Sequence, residues 1–163
     1  MAEKIYPIGV QSFEKLRSND CYYVDKTDLV WKLTHLVAPI FLRRPRRFGK
    51  SLLLSTIHAY FNGQRELFEG LKISEMESEW KKYPVFHFDF NTVGNEQSQP
   101  LGKVLDSMLS DYEQKWGIST KDEDRDHFAT RFMRLIEKAK AVSGLNVVVL
   151  VDEYDKPLLN TVI

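Results

Sequence analysis

A Gly-Lys-Ser triplet at Gly49, Lys50 and Ser51 does most to narrow the fold, because of its neighbours on either side. An apolar run, Ala38 to Leu42 with Pro39 at its entry, precedes it and reads as a strand. A helical pattern with Leu53, Ile57 and Phe61 on one face follows, and Asn62-Gly63 is a left-handed stop for it. Strand, loop and helix in that order place the triplet where unpaired helix amides and the helix dipole face outward, a geometry that binds polyphosphate. Glycine at 49 lets the backbone approach closely. Lys50 can reach β- and γ-phosphates, and the Ser51 hydroxyl can hold a magnesium ion bridging them. Against the pattern G-x-x-x-x-G-K-[ST], the first glycine position holds Arg44, followed by Pro45. Taken alone, the triplet could equally be an exposed turn and cap.

A second feature decides between those readings. Val147 to Val151 is an uncharged apolar run that ends in Asp152 and Glu153. The run, Asn146 to Val151, reads as a strand buried on both faces, as in a parallel sheet covered by helices. Ligands of open α/β sheets bind beyond the carboxyl ends of the strands, so Asp152 is expected to help hold magnesium with Ser51. Glu153 is expected to orient or deprotonate an attacking water. Acidic pairs after strands otherwise simply begin a solvated loop.

The remaining pattern is α/β. Asp25 can cap a helix with Leu29, Val30, Leu33 and Leu36 on one face, Asp28 completing a capping box, and an end near His35 to Ala38. The stretch from Ile5 to Tyr23 predicts a short helix and an edge strand. Val85 to Phe90 alternates as a strand, with Phe86, Phe88 and Phe90 opposite His87 and Asp89. Two amphipathic helices follow. One stripe is Leu101, Leu105, Met108, Leu109, Tyr112 and Trp116, and the other is Phe128, Phe132, Leu135, Ile136 and Ala139. Strands separated by helices make an α/β fold.

Composition excludes several classes. With 43% hydrophobic and 28% charged residues the chain is globular, and its 163 residues suffice for one domain. Basic and acidic residues number 23 each, so the overall charge gives no reason to expect nucleic acid or an anionic membrane. The local cluster Arg43, Arg44, Arg46, Arg47 and Lys50 is the exception, open to phosphate clamping, nucleic-acid binding or ion pairing. Cys21 is the single cysteine, which fits a reducing compartment, with cytoplasm as the expected location. Met1 to Tyr6 lacks a secretory pattern, and no run reaches the roughly 18 apolar residues of a spanning helix, so no membrane partner is expected. His35, His58, His87 and His127 show no ligand spacing.

Several motifs together resemble the AAA-ATPase-like proteins of bacteria and archaea, which often carry a C-terminal PD-(D/E)XK nuclease-like domain. They are Gly9 to Leu16, Tyr23-Val24-Asp25-Lys26-Thr27, Arg44-Pro45-Arg46-Arg47-Phe48-Gly49-Lys50-Ser51-Leu52-Leu53 and Val151-Asp152-Glu153-Tyr154-Asp155-Lys156-Pro157. The resemblance makes Arg44 ordinary, since the family writes its phosphate loop without the leading glycine. It implies a P-loop fold, three-layer α/β/α with a mostly parallel sheet, in which 1–37 form an N-terminal segment and 38–163 the nucleotide-binding core. By that similarity Arg46, Arg47, Phe48, Gly49, Lys50, Ser51 and Leu52 bind ATP as a Walker A element. Ser51 and Asp152 hold Mg2+, and Lys50 and Glu153 are catalytic, Asp152 and Glu153 forming the Walker B element. The motif Asp25-Lys26-Thr27 carries no role derivable from sequence. Family members continue past the Asp-Glu strand, so the chain is expected to be an N-terminal part. Its sheet would then be imperfect, or its edges covered by a partner chain, as in a homo-oligomer. The expected function is ATP binding, with hydrolysis in a complete protein. The alternatives are a nucleic-acid-binding module built on Arg43 to Arg47, serving a nuclease-like domain, and a non-catalytic piece acting in protein contacts.

Overall fold

The chain divides at Lys82 into two units, Met1–Lys82 and Tyr83–Ile163. The computed structural model describes residues 5–43, 45, 47–92 and 100–156. Arg44, Arg46, residues 93–99 and Pro157 therefore lie outside the described residues.

In the first unit, Ser12 starts helix α1 (Phe13–Ser18) by accepting from the Lys15 N–H at 3.3 Å. The expected edge strand is reduced to a single parallel bridge between Ile5 and Cys21. Helix α2 (Thr27–Thr34) and helix α3 (Lys50–Phe61) follow, then a short 3-10 turn at Arg65–Phe68 and the one-turn helix α4 (Ile73–Met76). Phe13, Leu16, Val30, Ile57, Tyr60, Phe68 and Ile73 form the buried interior. The Phe13 and Phe68 rings lie 4.8 Å apart between centroids. The Phe13 N–H also donates to Ser55 Oγ at 2.8 Å, which ties α1 to the middle of α3.

Three expectations for this unit are corrected. Ala38 to Leu42 forms no strand among the described residues, and Ile40 and Phe41 are exposed. An isolated apolar run needs neighbours to satisfy its amides, and no ladder partner is described for it in this unit. The buried face of α3 is Thr56, Ile57, Ala59 and Tyr60, with Leu53 and Phe61 only half-buried, so the stripe is turned from the expected one. In α2 Val30 is buried and Leu29 exposed, and Leu36, past the end of the helix, is exposed as well. Asp28 there makes a salt bridge to Lys72 at 3.6 Å rather than closing a capping box.

The motif at Asp25 gains a structural role. Asp25 Oδ1 accepts from the Thr27 N–H at 2.9 Å and from the Thr27 hydroxyl at 2.7 Å, and Oδ2 accepts from the Lys72 N–H at 2.8 Å. Thr27 Oγ1 in turn accepts from the Ile73 N–H at 3.1 Å, and Thr27 is fully buried. The two side chains satisfy amides at the starts of both α2 and α4, clipping the two helices together.

In the second unit, β1 (Val85–Asp89) and β2 (Val148–Asp152) form a two-stranded parallel sheet, Val85 opposite Val148 and Asp89 opposite Asp152. Two helices, α5 (Leu101–Trp116) and α6 (Phe128–Ser143), connect them. Parallel pairing needs such a crossover. Phe86 and Phe88 meet Leu109, Leu135 and Ala139 in the core, with Met108, Tyr112, Trp116, Phe128, Phe132 and Ile136 packed around them. Most of both expected stripes is thus used.

Mixed helices and strands with a parallel sheet agree with the α/β class. Among the described residues the sheet is smaller than the mostly parallel, multi-stranded one expected. Nor is β2 buried on both faces: Val149 and Val151 are each 41% exposed. Helices α5 and α6 centre on the phenylalanines of β1, and the paired valines of β2 fall at the rim of that cover.

The stripes also miss a buried charge. Arg131 is 1% exposed and lies between α5 and α6, where its guanidinium donates to Glu113 Oε1 at 2.9 Å, Glu113 Oε2 at 2.8 Å and Asp106 Oδ1 at 2.7 Å. It also donates to the Arg125 carbonyl at 2.8 Å and to Ser110 Oγ at 3.0 Å. The bidentate hydrogen bonds from Arg131 outweigh the effect of burial on Glu113 and hold its carboxyl below its ordinary range.

Candidate functional site

The predicted site residues fall into two sets, one in each unit. The first opens α3. Gly49 is its N-cap, in the left-handed region at φ 72°, and the Leu53 N–H donates back to the Gly49 carbonyl at 3.0 Å. That bond is the first of the helix ladder, so the amides of Gly49, Lys50, Ser51 and Leu52 have no intrahelical acceptor. They converge at the positive end of a twelve-residue helix dipole.

Two residues earlier Arg47 also has a positive φ, 67°. Left-handed residues alternating in a loop turn successive N–H groups toward one concavity, a shape suited to an anion. Arginine tolerates this conformation poorly, so the loop stores local strain of about 1 kcal/mol or more there. At Gly49 a Cβ would meet nothing within 4 Å. Backbone conformation, not crowding, is what calls for glycine, and the space beside it is open to a ligand. Arg43, Arg47, Phe48 and Gly49 are exposed, Phe48 by 66%, while Lys50, Ser51 and Leu52 are half-buried on the helix.

The second set lies at the carboxyl end of the sheet. Asp152 is 7% exposed and closes β2, with its Oδ1 accepting from the Glu153 N–H at 2.9 Å. Glu153 leaves the strand in the left-handed region at φ 52°, which turns the chain sharply just past the buried acid. The turn closes with the Lys156 N–H donating to the Glu153 carbonyl at 3.0 Å. Asp89 is the register partner of Asp152, so parallel pairing brings two carboxylates to one end of the sheet.

Asp155 Oδ1 is buried without a hydrogen-bond partner among the described residues. A buried carboxylate oxygen left this way calls for a cation, a water or a donor. Among the described residues no group of three or more His, Cys, Asp or Glu side chains gathers to hold a metal. Magnesium does not need one, since it is commonly bound through one or two carboxylates, waters and substrate phosphates. Asp89 and Asp152 at the sheet end are as many carboxylates as Mg2+ commonly uses.

Asn91 and Lys156, at this end of the sheet, carry no role derivable from sequence, although Lys156 stands in the motif Val151 to Pro157. Lys156 donates to the Asn91 carbonyl at 3.0 Å and to its side-chain oxygen. A lysine three residues past an acid pair was the only signal available for that contact. No helix among the described residues is long and apolar enough to cross a membrane.

Comparison with known proteins adds two findings. The chain is 42% identical over 162 residues to a protein of Azotobacter chroococcum mcd 1 described as "Uncharacterized protein in vnfD 5'region", covering 98% of this chain and 31% of that protein. The chain thus spans about a third of the length of the curated relative it matches. No solved structure matches it. The model of the AAA-ATPase-like family, described as "Predicted AAA-ATPase", matches residues 7–163, a span that takes in both the lysine loop and the acid pair. The chain belongs to this AAA-ATPase-like family, whose description points to nucleotide binding.

Proposed function

We propose that the chain binds ATP with Mg2+, and that in the complete protein it takes part in ATP hydrolysis. The observation that carries this reading is the start of α3: a left-handed Gly49 with open space beside it, followed at once by Lys50 and Ser51. In this reading the amides of Gly49 to Leu52 bind phosphate oxygens, and Lys50 neutralises charge on the β- and γ-phosphates. Magnesium, when bound, supplies further neutralisation of the phosphates. Ser51 and Asp152 act as its protein ligands, directly or through water. Glu153 orients the attacking water and accepts its proton. Arg46, Arg47 and Phe48 complete the loop. The reading requires Ser51 and Asp152 to serve one metal ion.

A thermal-shift titration tests it. At 100 times its dissociation constant, a ligand of the folded state adds roughly 2.7 kcal/mol of stability. Lys50→Ala removes most of that gain, and a folded wild-type sample whose melting MgATP leaves unmoved refutes the proposal.

A second reading, binding of a nucleic-acid backbone, draws on the exposure of Arg43 and Arg47. It predicts DNA binding that weakens steeply with salt and with Arg47→Ala, and that ATP does not displace. An association with a nuclease-like domain would give such binding a use. ATP competition, or no DNA binding at low salt, would reject this second reading. Cytoplasmic location and self-association through the sheet edges remain part of the same proposal.

A further inference from the structure

Lys156 has no task in the nucleotide chemistry proposed above, yet its two polar ends join different parts of the sheet end. Its ammonium donates to the Asn91 carbonyl at 3.0 Å and to the Asn91 side-chain oxygen. Asn91 stands just past β1, and its own N–H donates to Asp89 Oδ1 at 2.9 Å. The backbone N–H of Lys156 instead donates to the Glu153 carbonyl at 3.0 Å, and the Glu153 N–H donates to Asp152 Oδ1 at 2.9 Å.

An unbroken run of bonds therefore links Asp89 through Asn91, Lys156 and Glu153 to Asp152. Its two terminal residues are register partners on adjacent strands, so the run closes into a ring across the sheet end. Within that ring sits Glu153 at φ 52°, a left-handed conformation that a glutamate keeps only when its surroundings hold it. Main-chain closure of the turn cannot by itself fix the turn against β1. Lysine can, because its ammonium carries three donors on a stem long enough to reach across.

We propose that Lys156 is a positioning residue, which clamps the turn 153–156 to the turn after β1 and so holds Glu153 in its left-handed conformation beside Asp152. The clamp stands on the geometry alone; its consequence for metal binding rests on the nucleotide reading of Asp152 and Glu153.

Amide hydrogen exchange on the full chain tests the clamp. In Lys156→Met the Glu153 amide exchanges about tenfold faster or more, while amides in α5 and α6 keep their wild-type rates. Lys156→Arg, which retains charge and reach, restores protection. Unchanged exchange at Glu153 overturns the clamp, and so does an increase spread evenly over the unit, which marks general destabilisation. If Lys156→Met fails to fold, Lys156→Gln takes the ammonium away from both Asn91 acceptors while keeping a polar side chain; faster Glu153 exchange is expected, and none refutes the clamp.

The consequence is read from the ratio of ATP dissociation constants in EDTA and in Mg2+. Lys156→Met lowers that ratio by about tenfold, the usual scale for losing a partner that orients a metal ligand. A ratio kept at the wild-type value refutes the functional half. A wild type with no magnesium-dependent ATP binding refutes the nucleotide reading itself, and the exchange data still decide the clamp.

Discussion

Glu113→Ala strands a guanidinium. Arg131 is 1% exposed and donates two charge-assisted hydrogen bonds to the Glu113 carboxylate, at 2.9 and 2.8 Å. Such bonds contribute about 1.5–3 kcal/mol each, and removing one partner of a buried pair costs about 3–5 kcal/mol, because the remaining charge is uncompensated. Asp106 Oδ1 stays at 2.7 Å from the guanidinium and the Arg125 carbonyl at 2.8 Å, so part of the compensation survives. The expected loss is therefore at the lower end, about 3 kcal/mol. Urea unfolding reads it as a fall in the midpoint of roughly 1–3 M at a slope of about 1–3 kcal/mol/M. The double variant Glu113→Ala with Arg131→Met should recover much of the loss, since the buried charge goes with its partner. A Glu113→Ala cost below about 1 kcal/mol would mean that water already reaches the pair, and the reasoning would fail.

Stability follows pH at the same pair: the Arg131 hydrogen bonds, opposed by burial, lower the Glu113 pKa below its ordinary 4.5, so the stabilisation is present above that value. It is lost as pH falls from 4.5 through the folded-state pKa, and Glu113→Gln should flatten that part of an acid-unfolding profile. Asp25→Ala frees three donors on Thr27 and Lys72 at once, and thermal unfolding should report a loss of about 2 kcal/mol, with Asp25→Asn losing less. Gly63→Ala should cost clearly more than Gly49→Ala in denaturant titration. Both glycines have φ near 70°, but a Cβ at Gly63 would press on the Trp80 carbonyl at 3.2 Å, whereas at Gly49 it meets nothing within 4 Å. Equal costs would show that crowding at Gly63 is relieved by a small backbone shift.

Much of the second unit was legible because its signals are periodic and local. The alternation of Phe86 and Phe88 and the stripes of α5 and α6 follow from burying one face of a regular element, whereas β2 was legible as a strand but not in its exposure at Val149 and Val151. Arg131 and Glu113 were not legible. They fall at helical spacing beside Leu135 and Leu109, yet a charged residue there looks the same whether it reaches solvent or pairs across to the next helix. In the first unit the lysine loop and the stop at Asn62-Gly63 were readable from backbone demands on glycine. The face of α3 was not, because Lys50 to Phe61 is apolar on several sides and its burial depends on where α1 lands. The Asp25-Lys26-Thr27 motif carried no role derivable from sequence because it is a clip, whose acceptors serve amides of Lys72 and Ile73 far along the chain. Ala38 to Leu42 had the composition of a strand, but pairing is a property of neighbours, which composition cannot supply.

We propose above that MgATP engages the lysine loop and the acid pair alike. Paramagnetic broadening tests it directly, with Mn2+ in place of Mg2+ and ATP added to isotopically labelled protein. Amide signals of Gly49 to Leu52 and of Asp152 and Glu153 should broaden together, and Lys50→Ala should abolish both effects. Broadening confined to one of the two sets, or equally strong without ATP, would contradict it.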